Sequence, residues 1–230
     1  MDRRTIENEA KRLHKEIWRQ YKAVLQVPAV DPVWLLNPEH VARLLGFEFI
    51  ECEDLGSFGN GRDHFVVAGC IDRPEKRICV STSTRFTAHE IRFTGAHEVG
   101  HAVLHPHAAR HRDRPLSRFG SSVNRRDAIE SEADYFASCY LLPEKLVRER
   151  LERKFQVKGK LVVDENISYL LNPSDSEELL RDDDIGRRMR ALAVASVERF
   201  CGVRSASLAG EFDVSPSVMA IRIEELGLVS

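Results

Sequence analysis

Five residues, His97-Glu98-Val99-Gly100-His101, restrict this chain more than any other part of it. On a helix, residues four apart lie about 40° from each other around the axis, so both imidazoles face one way, with Glu98 about 100° from His97. Ala96, Val99 and Val103 fall on the opposite half, which gives the helix an apolar side for a core and a polar side for the floor of a cleft. Two histidines at this spacing can grip one Zn²⁺ and leave the glutamate to handle water. A solvated helix with recurring histidines would show the same five residues, so the rest of the chain has to decide.

The surrounding pattern predicts an α+β arrangement. Thr5 to about Leu25 repeats apolar positions at helical spacing (Ala10, Leu13, Ile17, Tyr21), and a short helix over Pro38–Leu45 is expected to end at Gly46. Phe47–Cys52, Phe65–Ile71 and Arg77–Ser81 read as strands, the last two joined by the polar turn Asp72–Lys76. From Thr84 to His105 the pattern is helical, and Pro106 closes it. Further helices are predicted over Asp127–Leu142, Glu144–Phe155, Ile185–Phe200 and Ser207–Leu228, with the acidic stretch Asn172–Asp184 as an exposed connection. The expected division is a metallopeptidase domain over 1–155 and a helical region over 156–230 packed on it.

Charge and cysteine usage exclude several classes. With 34 Lys and Arg against 36 Asp and Glu, the net charge of −2 demands neither nucleic acid nor an acidic membrane. No signal core and no apolar run of about 18 residues is present, so a soluble, cytoplasmic protein is expected. The five cysteines are odd in number and form no CxxC pair, which argues against a disulfide framework or a four-cysteine zinc site.

A zinc site needs a third protein ligand, with a fourth position left for water when the site is catalytic. His107 stands six residues after His101, where metzincins place a third histidine, but the glycine that redirects the chain in that motif is Leu104 here. Glu130 is the other candidate. It stands four residues before Asp134, so one helix face presents both carboxylates. Glu130 as ligand and Asp134 as hydrogen-bond partner of a ligand histidine would meet both needs from one helix.

The stretches Phe93–His105 and Glu130–Pro143 resemble the two signature blocks of the ImmA/IrrE metallopeptidases, and the resemblance extends back through the strand hairpin and forward to Leu208–Leu228. It implies a gluzincin-like fold, a small sheet with a hairpin edge strand packed on the HExxH helix. It also implies one Zn²⁺ per chain held by His97, His101 and Glu130, with Glu98 as catalytic acid and base. Members commonly carry asparagine at the position of Asp134 and methionine at that of Leu142. In such folds an edge strand above the metal takes substrate as an added strand, and Val66–Ile71, around Gly69, occupies the corresponding place. Cys70 is then expected near the metal, where a thiolate can displace the water; a buried structural cysteine is the plainer reading. For the oxyanion, His105, His107, Tyr140 and Tyr169 are available.

Two segments remain. Leu208–Leu228 has the cadence of a helix-turn-helix, with Ser215 as cap and Pro216 at the first helical position, but only Arg222 among acidic neighbours; a packing role is favoured over DNA reading. Arg110, Arg112, Arg114, Arg118, Arg125 and Arg126 lie between the two signature blocks, where they can attract nucleic acid or gate the site. The expected function is a narrow-specificity zinc endopeptidase. By resemblance its substrate is a helix-turn-helix repressor, cut in a stress, DNA-damage or anti-phage response, with single-stranded DNA as a candidate activator. The rivals are a DNA-binding regulator and a peptidase-like scaffold that does not cut.

Overall fold

In α1 (Arg3–Leu25), Ile6, Ala10, Leu13 and Ile17 recur every three or four residues and are each at most 2% exposed, so one side of a 23-residue helix is given to the core. The computed structural model describes residues 1–25, 31–58, 65–106, 111–112 and 128–230. By its internal contacts the chain falls into two units, Met1–Leu141 and Leu142–Ser230. The fold is mixed α+β.

In the first unit a 3₁₀ turn at Trp34–Leu36 leads to α2 (Pro38–Leu44), capped by the Asn37 side chain and opened by Pro38. Its end is a Schellman arrangement: Gly46, at φ +79°, donates to Arg43 O and Phe47 to Ala42 O. A sheet of order β1-β5-β4-β6 follows, made of β1 (Glu48–Cys52), β4 (Gly69–Asp72), β5 (Arg77–Ser81) and β6 (His111–Arg112). β1 runs parallel to β5, and the other two pairings are antiparallel. The predicted strand Phe65–Ile71 breaks in two: β3 (Phe65–Val66) pairs with β2 (Ser57–Phe58) in a separate ribbon, and only β4 joins the main sheet.

Side-chain alternation decides what the sheet offers. Ile71, Ile78 and Val80 are at most 1% exposed and form the face packed against α3 (Ala88–Leu104); Cys70 and Cys79 alternate to the other face and are half-buried. The helix starts four residues later than expected because Thr87 and Glu90 form a capping box: Glu90 N–H donates to Thr87 Oγ1 and Thr87 N–H to Glu90 Oε2. On its other flank α3 lies against α4 (Ala128–Leu141). There Gly100 permits a close approach, since a Cβ at that position would stand 3.2 Å from the Cα and the carbonyl oxygen of Ala133. α1 packs on α4 in turn, and the neutral His14 ring donates through Nε2 to Tyr140 O, 2.8 Å away in the last turn of α4.

The second unit contains α5 (Glu144–Phe155), α6 (Glu165–Leu171), α7 (Ser176–Leu179), α8 (Asp184–Ser196), the hairpin β7–β8 (Arg199–Phe200 and Val203–Arg204), α9 (Leu208–Glu211) and α10 (Pro216–Glu225). The sequence division after residue 155 and this boundary differ by α5. Its Phe155 ring meets Phe200 edge-on, Arg150 and Arg153 pair with Glu211, and Lys154 donates to Ala206 O. The predicted helix over Ile185–Phe200 stops at Ser196, because Cys201 and Gly202, at φ +47° and +80°, turn the chain back as a hairpin. The acidic connection Asn172–Asp184 is not wholly exposed: α7 lies within it and buries Leu179 completely. In α10, Ser215 caps and Pro216 opens the helix as expected.

Candidate metal centre

His97, Glu98 and His101 sit in the middle of α3 and are 2%, 0% and 0% exposed, so the polar stripe of this helix is enclosed by its neighbours. The β4–β5 turn reaches over the helix end, where the Arg73 guanidinium donates to His101 O at 2.5 Å, which also accepts from the His105 N–H, and to His105 O at 2.8 Å. Burial lowers the pKa of Arg73, and the negative charge of Glu98 opposes that shift.

α4 supplies the carboxylates. Glu130 Oε2 lies 3.3 Å from His97 Nε2, Glu130 Oε1 lies 3.5 Å from His101 Nε2, and the two Nε2 atoms are 2.9 Å apart. Hydrogen bonds from His101 and His97 hold the Glu130 carboxyl far below the usual carboxylate range. Each residue thus turns one ligand atom toward a common point, all within 4.8 Å of one another, and among the described residues no other group of three does so. A tetrahedral zinc with bonds of about 2.0–2.1 Å needs ligand atoms about 3.3 Å apart. The two histidine–glutamate separations match that spacing, and the 2.9 Å between the two Nε2 atoms is shorter than it.

The outward nitrogens are held as well. Asp134 Oδ1 lies 2.9 Å from His97 Nδ1. On the other histidine, His101 Nδ1 lies 3.2 Å from His105 Nδ1, and His105 Nε2 lies 2.9 Å from Glu132 Oε2. Glu132 also meets the α-amino group of Met1, and that amine and His105 together lower its pKa. In the sequence Glu132 reads as part of a solvated acidic face, Arg73 as part of a polar turn, and His105 as one of four residues available to the oxyanion. The signal for His105 was present: a third histidine one further turn along the face of His97 and His101.

The other expected site residues fall in different places. Gly69 faces α3 so closely that a Cβ would stand 2.5 Å from Thr94 Cγ2 and 3.0 Å from Glu98 Oε1. Alternation therefore turns Cys70 to the opposite face, beside Cys79, whose thiol is pushed up to about 12 by burial and then by Cys70 and Cys52. Cys70, expected near the metal, thus does not share the sheet face that packs on α3. Nor is the edge of β4 open along its length, for Cys70 and Ile71 pair with Arg112 and His111 of β6. Tyr140 is fully buried and its hydroxyl donates to Asn37 O, which removes it from the oxyanion candidates. Tyr169 belongs to the second unit. His107, Arg110, Arg114, Arg118, Arg125 and Arg126 lie outside the described residues, and Arg112 is described only as part of β6.

In the helix-turn-helix-like segment, Arg222 is 4% exposed and donates through Nε to Leu142 O, with Glu225 on its other nitrogen. The one basic residue of α10 is spent inside its own unit. Phosphates and base edges would need it outside. Among the described residues no helix is long and apolar enough to cross a membrane.

A small sheet, a buried HExxH helix on it and a glutamate brought in from a second helix define the metallopeptidase-like class of α+β domains. Within that class the chain belongs to the peptidase M78 family: residues 50–169, just over half of its length, match the IrrE N-terminal-like domain. No curated protein matches the chain.

Proposed function

We propose that this protein is a zinc-dependent endopeptidase of narrow specificity acting in the cytoplasm on a helix-turn-helix transcriptional repressor. The observation that carries the reading is the convergence of His97 Nε2, His101 Nε2 and the Glu130 carboxylate on one point, with Glu98 buried on the next residue of the same helix. His97, His101 and Glu130 would hold a zinc ion there, which would supply a water of pKa lowered toward about 7 and a Lewis acid for the peptide carbonyl. Glu98 accepts the proton of the attacking water and passes it to the amine: a C–O bond forms, the C–N bond breaks, and the proton ends on the new amino terminus. With the metal bound, Asp134 would accept the proton of His97 Nδ1, so that Nε2 gives its lone pair to the ion in place of its hydrogen bond to Glu130.

The substrate, a stress, DNA-damage or anti-phage setting, and activation by single-stranded DNA through Arg110, Arg112, Arg114, Arg118, Arg125 and Arg126 come from the resemblance and from sequence charge. The burial of Arg222 disfavours the DNA-binding regulator built on α10. The deciding experiment incubates wild type and Glu98→Ala with a helix-turn-helix repressor encoded near this protein's own gene, with zinc content measured. Cleavage by the wild type alone is expected. Zinc-loaded wild type that binds the repressor without cutting it would replace this reading with the scaffold.

A further inference from the structure

The three ligand atoms leave one line of side chains unexplained. From His101 it runs through His105 to Glu132, in steps of 3.2 Å and 2.9 Å, and crosses from α3 to α4. Both outer members are largely enclosed, with side chains 9% and 18% exposed. An imidazole that gives the lone pair of Nε2 to a metal carries its proton on Nδ1. His101 Nδ1–H therefore donates, and His105 must accept at its own Nδ1. The proton of a neutral His105 then sits on Nε2, where the Glu132 carboxylate accepts it. This arrangement gives each of the two bonds one proton, and its direction is set by the negative charge at its far end.

Asp134 performs the same task for His97 in a single step. We infer that His105 and Glu132 are positioning residues for the metal, fixing the tautomer and ring plane of His101 through an interposed imidazole. The inference rests on reading His97, His101 and Glu130 as a metal site. Arg73 supports the same line from the backbone, since one of its nitrogens bonds the carbonyls of both His101 and His105. That fixes the terminal turn on which the second imidazole stands.

The test uses the full chain with His105→Phe, which keeps a ring and removes both nitrogens, with Glu132→Gln, and with the double variant. Zn²⁺ affinity is read by competition with a chromophoric chelator, and the visible absorption of the Co²⁺-loaded protein reports the ligand field. His105→Phe is expected to weaken Zn²⁺ binding roughly 10–100-fold, the range for removing a group that orients a ligand, and to shift the Co²⁺ bands. Glu132→Gln should weaken binding by a smaller factor. It should add nothing once His105 is gone, because its effect travels through that ring. Should His105→Phe fail to fold, Glu132→Gln still tests the line, and an unchanged affinity and spectrum in it overturn the inference. Independent, multiplicative losses in the double variant overturn it too. A wild type that binds neither ion overturns the metal reading and this inference with it, whereas wild-type binding matched by His105→Phe overturns the inference alone.

Discussion

Gly100→Ala tests whether the site depends on how closely α3 and α4 meet. The new Cβ would stand 3.2 Å from Ala133 Cα, Ala133 O and Phe136 Cδ1, against ordinary carbon contacts of about 3.5–4.0 Å. The Phe136 ring can turn aside. The Ala133 backbone cannot move alone, because it belongs to the hydrogen-bonded ladder of α4. Relief thus requires α4 to retreat by about 0.3–0.8 Å, the difference between those contact distances. Glu130 and Asp134, three residues before and one after, retreat with it, and the separations of 3.3, 3.5 and 2.9 Å to the histidines widen. Overpacking costs about 1–3 kcal/mol, and the better helix propensity of alanine returns about 1 kcal/mol. The metal-free protein should therefore lose about 0–2 kcal/mol, while Zn²⁺ affinity falls roughly 10–100-fold, as for other losses of ligand orientation. Equilibrium unfolding with and without zinc, together with chelator competition, measures both. A variant about 1 kcal/mol more stable than wild type with unchanged zinc affinity, the result of propensity alone, would refute the reasoning.

Gly69→Ala places a methyl group against Thr94 and Glu98, and should lower kcat about 100-fold, the scale for a small displacement of a reacting group, with zinc content intact; full activity would show that Glu98 does not need its present position. Cys70→Ala should leave basal cleavage and the Co²⁺ spectrum unchanged, because the thiol points away from α3; a shifted spectrum would contradict that alternation. Burial lowers the pKa of His14 to about 4, so between there and the unfolded value near 6.5 only the unfolded chain binds the proton. Stability should therefore fall as pH drops through that window. The full shift is worth about 3 kcal/mol and, discounted for the residue's partial exposure, about 1–2 kcal/mol. Urea unfolding at both ends of the window checks this, and a His14→Gln variant as acid-sensitive as wild type would contradict it.

The residues that were legible in the sequence follow local rules. Helical spacing puts His97 beside His101 and Glu130 beside Asp134, and the Thr87-to-Glu90 capping box was written in the chain although the predicted helix began at Thr84. What escaped depends on packing or on a single residue of register. A strand read as continuous from Phe65 does not reveal that Gly69, rather than Cys70, faces the helix. Glu132 resembles one more charge on a solvated face until α4 is laid against α3 and His105 is found within 2.9 Å. The helix-like pattern through Phe200 concealed a hairpin because its decisive feature, two successive positive φ angles, follows the last apolar residue.

The close contact of α3 with α4 at Gly100 also bears on how such a protein can change over time. His101 and Glu130 are 29 positions apart, yet the helices that carry them fit together by their own surfaces. The entropic cost of closing a connecting loop grows only with the logarithm of its length, about 0.6 kcal/mol per doubling. Outside β6, which pairs with β4, a change in the length or the arginines of the stretch joining the two helices therefore costs the ligand geometry little. Hydrolytic chemistry and whatever governs access to it can then be inherited as separate parts, one held fixed while the other diverges.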